Sequence, residues 1–289
     1  MKENIVPLFG PGGNSEDFYA AGHKSTLEAP AFLKNYGLDA YEYEAGNGLR
    51  TSDATLSAIG QAAKENGILM SLHTPYFISL ASADPAKREG SVNYIKQSIH
   101  AASLLGARTI VIHCGGVAQM TREEGMANSV LTLNSLMENI GHTDIHLGLE
   151  TMGKVNQLGT LDEVIALCKL SPCFHPVVDF GHLNAREIGN AFASVDDYRR
   201  IFSRVGEELG DEKAIRMHCH FSKIEYTAKG EKKHLTFEDK VFGPDFEPLA
   251  EAIVLEKVAP VIICESAGTM AKDALYMKNT YLKAKEALL

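Results

Sequence analysis

The sequence has few of the features that mark membrane, secreted or generally nucleic-acid-binding proteins. No run approaches the roughly 20 apolar residues of a membrane span, and the N-terminus lacks the pattern of a signal peptide. The five cysteines are odd in number and contain no CxxC pair, which favours a reducing, cytoplasmic setting over a disulfide framework. A formal net charge of −9 argues against a general nucleic-acid surface. It still allows a local cationic site, because bound divalent metals would offset clustered carboxylates.

What remains is an ordinary globular composition in a regular alternation. The 289 residues are 45% hydrophobic and 22% charged, which provides ample core for one large domain. Apolar runs alternate with amphipathic stretches, so we predict eight strand-then-helix units that pair in parallel through right-handed crossovers. The predicted strands cover residues 5–9, 38–43, 68–73, 109–113, 145–150, 176–179, 215–221 and 261–265. We predict an α/β fold, a (β/α)8 TIM barrel in a single domain over residues 1–289, with a doubly wound open sheet as the alternative.

Two connecting segments are predicted to carry no regular structure. The stretch Gly10-Pro11-Gly12-Gly13 matches no phosphate-binding fingerprint and is interpreted as a turn. Residues 222–240 follow the seventh strand as a long charged stretch and are interpreted as a loop. Cys114, Cys219 and Cys264 each neighbour a candidate ligand on a strand, so alternation points their side chains to the opposite, buried face.

Residue types that bind metals recur at the C-terminal ends of the predicted strands. From the third strand to the eighth, these ends carry His73, His113, Glu150, Asp179, His218 and Glu265. In a barrel such ends form one rim, where catalytic residues collect. His182 and His234 lie in loops that leave the same rim. A single histidine here is more often structural, but without a cation this set would leave three carboxylates repelling one another. The pattern predicts a polynuclear site for zinc or manganese.

The sixth strand shows this pattern most clearly. The apolar run Val177-Val178 ends in Asp179, and His182 follows three residues later, after a glycine. A carboxylate at the end of a buried strand needs a partner, and both side chains can turn toward one point above the strand tip. The alternative interpretation is that Asp179 caps the next helix and His182 is a surface loop residue.

Six short segments, in order along the chain, resemble the endonuclease IV family of apurinic/apyrimidinic endonucleases, within the wider xylose-isomerase-like barrels. Each segment is short, and only the ordered set is specific. The segments are Leu-His-Thr-Pro-Tyr-Phe-Ile-Ser-Leu-Ala at 72–81, Val-Ile-His-Cys-Gly-Gly at 111–116, Leu-Glu-Thr at 149–151, Val-Asp-Phe-Gly-His at 178–182, His-Cys-His-Phe-Ser-Lys at 218–223 and Ile-Cys-Glu-Ser at 263–266.

The resemblance implies a three-zinc phosphodiesterase that cleaves damaged DNA on the 5′ side of abasic sites during base-excision repair. Glu150 and Glu265 would be the catalytic carboxylates, with Glu265 orienting the attacking group. Tyr76 matches the family tyrosine near the damaged site, although it can equally be a packed aromatic. The implied ligands are His73, His113 and Glu150 for the first metal, Glu150, Asp179, His218 and Glu265 for the second, and His182 and His234 for the third.

The chain departs from the family pattern near the third metal. Lys232 stands where the family has an aspartate ligand, and an ammonium repels a divalent cation. Either Lys232 points to solvent while Glu231 supplies the ligand, or the lysine takes the place of the metal; we expect the second arrangement. His220 and Phe221 also stand where the family usually has an asparagine and an aspartate.

A divalent-metal-dependent ketose isomerase or epimerase on the same barrel is the alternative function. Such enzymes hold one metal with a Glu, Asp, His, Glu set on the fifth to eighth strands, which Glu150, Asp179, His218 and Glu265 satisfy. They would not need His73, His113 or His234, whereas the spacing of Asp179 and His182 is shared with them. The arginine that they usually carry just beyond the seventh-strand histidine is absent, since the chain reads Phe-Ser-Lys-Ile at 221–224. A metal-binding scaffold without catalysis is a third interpretation.

Overall fold

The runs predicted as strands pair side by side into a nearly closed parallel barrel, which confirms the predicted fold. The computed structural model describes residues 5–118 and 120–289. The barrel strands are β1 Leu8–Pro11, β2 Ala40–Glu44, β3 Leu69–His73, β4 Thr109–His113, β5 His146–Glu150, β6 Phe174–Asp179, β7 His218–Phe221 and β10 Val261–Cys264. They pair in the order β1-β10-β7-β6-β5-β4-β3-β2, each parallel to its neighbours.

The barrel closes between β1 and β2, where a glycine permits close approach. A Cβ atom on Gly10 would lie 1.8 Å from the Ala40 carbonyl oxygen, so only glycine fits at this point. Beyond it, Gly12 forms a parallel bridge with Glu42. The interpretation of residues 10–13 as a turn is therefore wrong for its first two residues, which belong to β1 and close the barrel.

Helices surround the barrel, and their ends carry the expected capping residues. They are α1 Glu16–Ala20, α2 Ala29–Tyr36, α3 Asp53–Asn66, α4 Pro85–Leu105, α5 Arg122–Ile140, α6 Leu161–Cys168, α7 Phe180–Arg186, α8 Val195–Leu209, α9 Asp211–Ile215, α10 Glu247–Glu256 and α11 Met270–Leu288, with a 3-10 turn at Thr26–Glu28. Thr121 and Thr160 open α5 and α6 with reciprocal capping boxes. Gly67 and Gly106 end α3 and α4 in the left-handed conformation.

The predicted loop at 222–240 contains an antiparallel hairpin that the sequence analysis missed. Its strands are β8 Ile224–Thr227 and β9 Gly230–His234. They are largely polar and partly exposed, so they lack the apolar runs on which the strand prediction relied. Because the hairpin leaves β7 at the C-terminal rim, it adds side chains directly to the edge where the candidate ligands end.

The remaining fold predictions concern burial. Cys114, Cys219 and Cys264 are fully buried, as their position opposite the candidate ligands predicted. None of the helices that the structure describes combines the length and apolar character needed to cross a bilayer.

Candidate metal centre

The C-terminal rim of the barrel brings most of the predicted ligands together. Parallel strands present their carboxyl ends at one edge, so side chains from distant parts of the sequence meet there. His182, at the start of α7, and the hairpin residues approach the same point. Together with Tyr76 and the segment after β5, these residues line a cavity of about 330 Å³. The cavity is the candidate functional site.

The first ligand group joins His73, His113 and Glu150 at the ends of three adjacent strands. Glu150 Oε2 lies 3.0 Å from His113 Nε2 and 3.6 Å from His73 Nε2. His73 Nδ1 lies 2.9 Å from the carbonyl oxygen of Thr74, which accepts a hydrogen bond from it and leaves Nε2 directed at the group. Both nitrogens therefore face one carboxylate oxygen, as ligands around a single ion would.

The second ligand group joins Glu150, Asp179, His220 and Glu265. His220 Nδ1 lies 3.0 Å from Glu150 Oε1 and 3.3 Å from Glu265 Oε1. Glu150 thus turns one oxygen toward the first group and the other toward the second. Asp179 also caps α7, since it accepts from the His182 backbone N–H at 2.7 Å, so the alternative interpretation is right about the cap. It is wrong about His182, which is buried within α7.

The seventh-strand member of this group is His220, whereas the sequence analysis named His218. In the sheet register His220 lies opposite Asp179, while His218 lies opposite Val177, one layer deeper in the barrel. Residues two apart on a strand point to the same face, so both rings face inward and only their depth differs. His218 Nε2 instead contacts Glu42 Oε2 at 2.9 Å. Alternation alone could not distinguish the two.

The third ligand group joins His182 to Glu231 and His234 of the hairpin. His182 Nε2 lies 3.5 Å from Glu231 Oε2, and the two histidine rings are 5.5 Å apart. The Thr151 carbonyl oxygen lies 2.9 Å from His182 Nδ1, and Ser222 Oγ lies 2.8 Å from His234 Nδ1. With their Nδ1 atoms engaged in this way, both rings can use Nε2 as a metal ligand.

A β-bulge explains why Glu231 and His234 face the same point. Strict alternation would put residues three apart on opposite faces. The pairing skips Lys232, because Glu225 pairs with Lys233 and Tyr226 with Glu231, so one extra residue restores the common face. Lys232 Nζ points outward and contacts Glu225 Oε1 at 2.5 Å. The expectation that Lys232 takes the place of the third metal is therefore wrong.

Two carboxylates that the sequence analysis missed lie beside these groups, on β2. Glu42 and Glu44 are two residues apart, the spacing that puts both on the inner face of a strand, and this spacing was the available signal. Glu44 Oε2 accepts from the Tyr76 hydroxyl at 3.1 Å. The Tyr76 ring is half exposed and stacks on His113, with centroids 5.6 Å apart. The predicted substrate-binding tyrosine thus lies at the open side of the cleft.

The segment after β5 passes over the cleft and is held from behind by two arginines. Arg186 Nη1 donates to the carbonyl oxygens of Met152 at 3.0 Å and Lys154 at 2.9 Å. Arg122 Nη2 donates to the Gln157 carbonyl oxygen at 3.0 Å. The side chains of Lys154 and Gln157 line the cavity, and the sequence analysis identified neither. Because distant arginines hold the backbone of this segment, the sequence around Lys154 and Gln157 contains no pattern that would identify them as cleft residues.

The pKa values of side chains at this site show that its buried carboxylates stabilise nearby positive charge. Burial opposes protonation of His73, but Glu150 and other carboxylates outweigh it and raise the pKa of the ring to about 10. Burial also opposes protonation of His182, yet Asp179 and Glu231 raise the pKa of that ring to about 9. Burial raises the pKa of the Asp179 carboxyl to about 7. In the metal-free protein, bound protons therefore supply the positive charge that a metal cation would otherwise supply to the carboxylates.

The three groups fit divalent metals. The nitrogen–oxygen separations within them run from 3.0 to 3.6 Å. Two ligands of a tetrahedral zinc, each ~2.0–2.1 Å from the ion, lie about 3.3 Å apart. Glu150 Oε2 and Asp179 Oδ2 are buried without an aligned hydrogen bond to any described residue. Buried carboxylate oxygens of this kind require a cation or a donor.

Two proteins of similar sequence can be compared with the chain. The chain is 25% identical over 289 residues to an uncharacterized protein of Methanocaldococcus jannaschii, covering 97% of this chain and 99% of that protein. It is 27% identical over 214 residues to a probable endonuclease 4 of Mycoplasma genitalium, covering 71% of this chain and 68% of the relative. The second match agrees with the resemblance inferred from the six segments.

Solved structures with the same fold include enzymes of both candidate functions. Endonuclease IV from Thermus thermophilus has a TM-score of 0.68 at 15% identity, covering 97% of this chain and 100% of that chain. L-ribulose 3-epimerase has a TM-score of 0.68 at 17% identity, covering 98% and 97%. At such identities the likeness shows the fold alone. The model of the family described as xylose isomerase-like TIM barrel matches residues 30–280. The chain therefore belongs to the xylose isomerase-like TIM-barrel family.

Proposed function

We propose that the protein is a zinc-dependent phosphodiesterase of the endonuclease IV type, which cleaves DNA on the 5′ side of abasic sites in the cytoplasm. The observation that carries this proposal is the joining of ligand groups. Glu150 turns one oxygen to the pair His73 and His113 and the other to His220. The hairpin adds a third group at the same cleft. Several adjoining metal groups suit phosphate ester cleavage, in which charge develops on more than one oxygen.

Each group has a defined part in this proposal. The three ligand groups would hold two or three zinc ions, with manganese as the other candidate. When bound, the metals lower the pKa of water and neutralise charge on phosphate oxygens. Glu265 stays ionised, because His220 outweighs the effect of burial and lowers its carboxyl pKa to about 2. It can therefore accept a hydrogen bond from the attacking water and direct that water at phosphorus.

The walls of the cleft suit an anionic substrate. Lys154, a residue with a positively charged side chain, is part of the lining of a cavity otherwise rich in carboxylates and imidazoles. Gln157 offers an amide to the same space, and its buried Oε1 has no aligned partner among the described residues. Tyr76 presents a half-exposed ring on which a base or sugar can pack. These features favour a phosphate-bearing substrate over a neutral ketose.

A ketose isomerase or epimerase is the second candidate, and one observation favours it. Glu150, Asp179, His220 and Glu265 form a complete four-ligand group that can hold one metal without the other two groups. In that reaction the two glutamates would move a proton beside the substrate carbonyl, which is general acid–base work. Under this alternative, His73, His113 and the hairpin ligands would be dispensable.

Purified protein loaded with zinc should cleave a duplex that contains one abasic site, on the 5′ side of that site. The metal-free protein should not cleave it. An undamaged duplex of the same sequence and a panel of ketoses provide the controls. Ketose epimerisation without strand cleavage would contradict the proposed phosphodiesterase and support the ketose isomerase or epimerase.

Replacing His73 and His113 together by alanine separates the two functions further. Both rings belong to the first group, and neither is a member of the four-ligand group required for an epimerase, with which they share only the contact to Glu150. We expect the double variant to lose one equivalent of metal and about 10²–10³-fold in strand cleavage while the barrel stays folded. Metal content per chain and cleavage rate are the measurements. Unchanged metal content in the double variant would contradict the polynuclear site.

The third group is tested by a pair of adjacent residues. Glu231 faces His182, whereas Lys232 points outward to Glu225. Glu231→Gln should therefore remove one equivalent of metal and slow cleavage. Lys232→Gln, the matched control, should change neither quantity, and Lys232→Asp should not increase metal content. If Lys232→Asp raised metal content while Glu231→Gln left it unchanged, the assignment of the ligand role to Glu231 would be wrong.

A further inference from the structure

Glu42 is a fully buried carboxylate in the barrel interior, next to the second ligand group. Its Oε2 accepts from Ser71 Oγ at 2.7 Å and lies 2.9 Å from His218 Nε2. Its Oε1 lies 2.8 Å from His220 Nε2, although the two atoms are not aligned for a linear hydrogen bond. Burying a carboxylate costs free energy unless charged or polar partners compensate it. Four residues from three barrel strands thus meet in one buried cluster.

Glu42 is poorly placed to bind a metal together with His218 and His220. Its contacts with the two rings measure 2.8 and 2.9 Å. Ligands of one tetrahedral ion lie farther apart, at about 3.3 Å, which is close to the separations in the three groups at the rim. The 2.9 Å contact of Oε2 with His218 Nε2 is a hydrogen bond, and the 2.8 Å contact of Oε1 with His220 Nε2 brings a carboxylate oxygen beside that ring nitrogen. Glu42 therefore acts on the rings themselves.

The contact with Glu42 constrains which nitrogen of His220 carries a proton. Nδ1 faces Glu150 at 3.0 Å and Glu265 at 3.3 Å, and Nε2 faces Glu42. A nitrogen binds a metal only without its proton, and the opposite nitrogen then carries the proton of the neutral ring. Carboxylates lie beside both nitrogens, but a cation in the second ligand group would repel a proton on Nδ1, which leaves the ring proton on Nε2, beside Glu42.

We propose that Glu42 is a positioning residue that holds His220 with Nδ1 directed at the second ligand group. His218 contacts the other oxygen of Glu42, so His218 acts behind the ligands and not as one of them. This inference rests on the proposed metal centre and assigns a role to two buried residues that the proposed function does not use. Hydrogen-bonded carboxylates behind ligating histidines fix ring orientation and raise ligand basicity.

Glu42→Gln tests this role with little change in shape. Glutamine has one acceptor oxygen, so it cannot accept from both rings and one contact must fail. We expect zinc affinity, measured by competition with a chromophoric chelator, to fall about 10–100-fold at one equivalent per chain. Ser71→Ala is the matched control, because it removes a buried bond to Oε2 and leaves the Oε1 contact with His220 intact. Its zinc affinity should change less than about threefold.

A spectroscopic measurement on the wild-type protein tests the inference without any change of Glu42. In zinc-loaded protein with 15N-labelled histidine, the His220 signals, assigned by their loss in His220→Gln, should show a metal on Nδ1 and a proton on Nε2. A metal on Nε2 of His220, or equal zinc affinities for Glu42→Gln and Ser71→Ala, would overturn the proposal. Neither readout involves a substrate, so DNA cleavage can fail as the function while this result still stands.

Discussion

Replacing Glu150 by glutamine should abolish activity and deplete the metal centre, which is the largest functional effect that we expect from a single substitution. Glu150 is fully buried, and it is the residue shared by the first two ligand groups. A glutamine amide carries one acceptor oxygen and no charge, so it cannot serve two ions. We expect the loss of at least one equivalent of metal and on the order of a thousandfold or more in cleavage rate.

The matched control for this substitution is Glu225→Gln. Glu225 lies on the outer face of the hairpin with Lys232 and Lys233, so the same change of charge occurs outside the cleft. Metal analysis, circular dichroism and cleavage rates on both variants give the comparison. A folded Glu150→Gln protein with full metal content and near wild-type cleavage would exclude Glu150 as a bridging ligand.

Metal binding should release protons and strengthen steeply with pH, which is the second large effect. In the metal-free protein, carboxylates outweigh burial and raise the pKa of His73 to about 10 and of His182 to about 9. At pH 7.5 both rings therefore carry the additional proton, and a ligating nitrogen must lose it. Because the two rings belong to different ligand groups, one displaced proton at each implies a rise in metal affinity of about tenfold per pH unit at each of these two sites near neutrality.

The same shifts determine how the stability of the metal-free protein depends on pH. Both folded-state pKa values lie above the unfolded value of about 6.5. Their stabilising contribution is therefore fully present below that value and is lost as the pH rises through 9 and 10. The melting temperature of metal-free protein should fall across this window, and that of metal-loaded protein should fall less.

Calorimetric titration with zinc at pH 7.5, in two buffers of different ionisation enthalpy, counts the released protons. His100→Gln is a suitable control, since His100 is exposed and pairs with Asp53 away from the cleft. It should release the same number of protons as wild type. Zinc affinity that is independent of pH between 7 and 9 would contradict the protonated state of the two rings.

The fold and most of the rim could be predicted because both depend on local patterns. Strand β4 is nearly all β-branched, and its predicted limits agree with the structure. Parallel strands place their carboxyl ends at one edge whatever the details of packing. The positions of His73, His113 and Glu265 at or next to strand ends therefore implied their convergence. The family and the fold could therefore be predicted without any knowledge of contacts between residues distant in sequence.

The rest of the site depends on contacts between distant residues. His218 and His220 differ only in depth, which is set by the register with neighbouring strands. Glu42 meets His218 across 176 positions of sequence. The choice of Glu231 over Lys232 depends on a bulge that no apolar pattern announces. Register and bulges arise from pairing between strands, so sequence periodicity within one strand cannot reveal them.

The bulge at Lys232 has an evolutionary consequence. The extra residue aligns Glu231 with His234, so the loss of one codon in this hairpin would turn one of them away from the cleft. The groups built on barrel strands would remain, including the four-ligand set that an isomerase needs. Under the proposed function, an insertion or deletion in this surface hairpin would therefore change how many metal groups the cleft contains without altering the barrel. The length of this hairpin in relatives would then track function better than their overall sequence identity does.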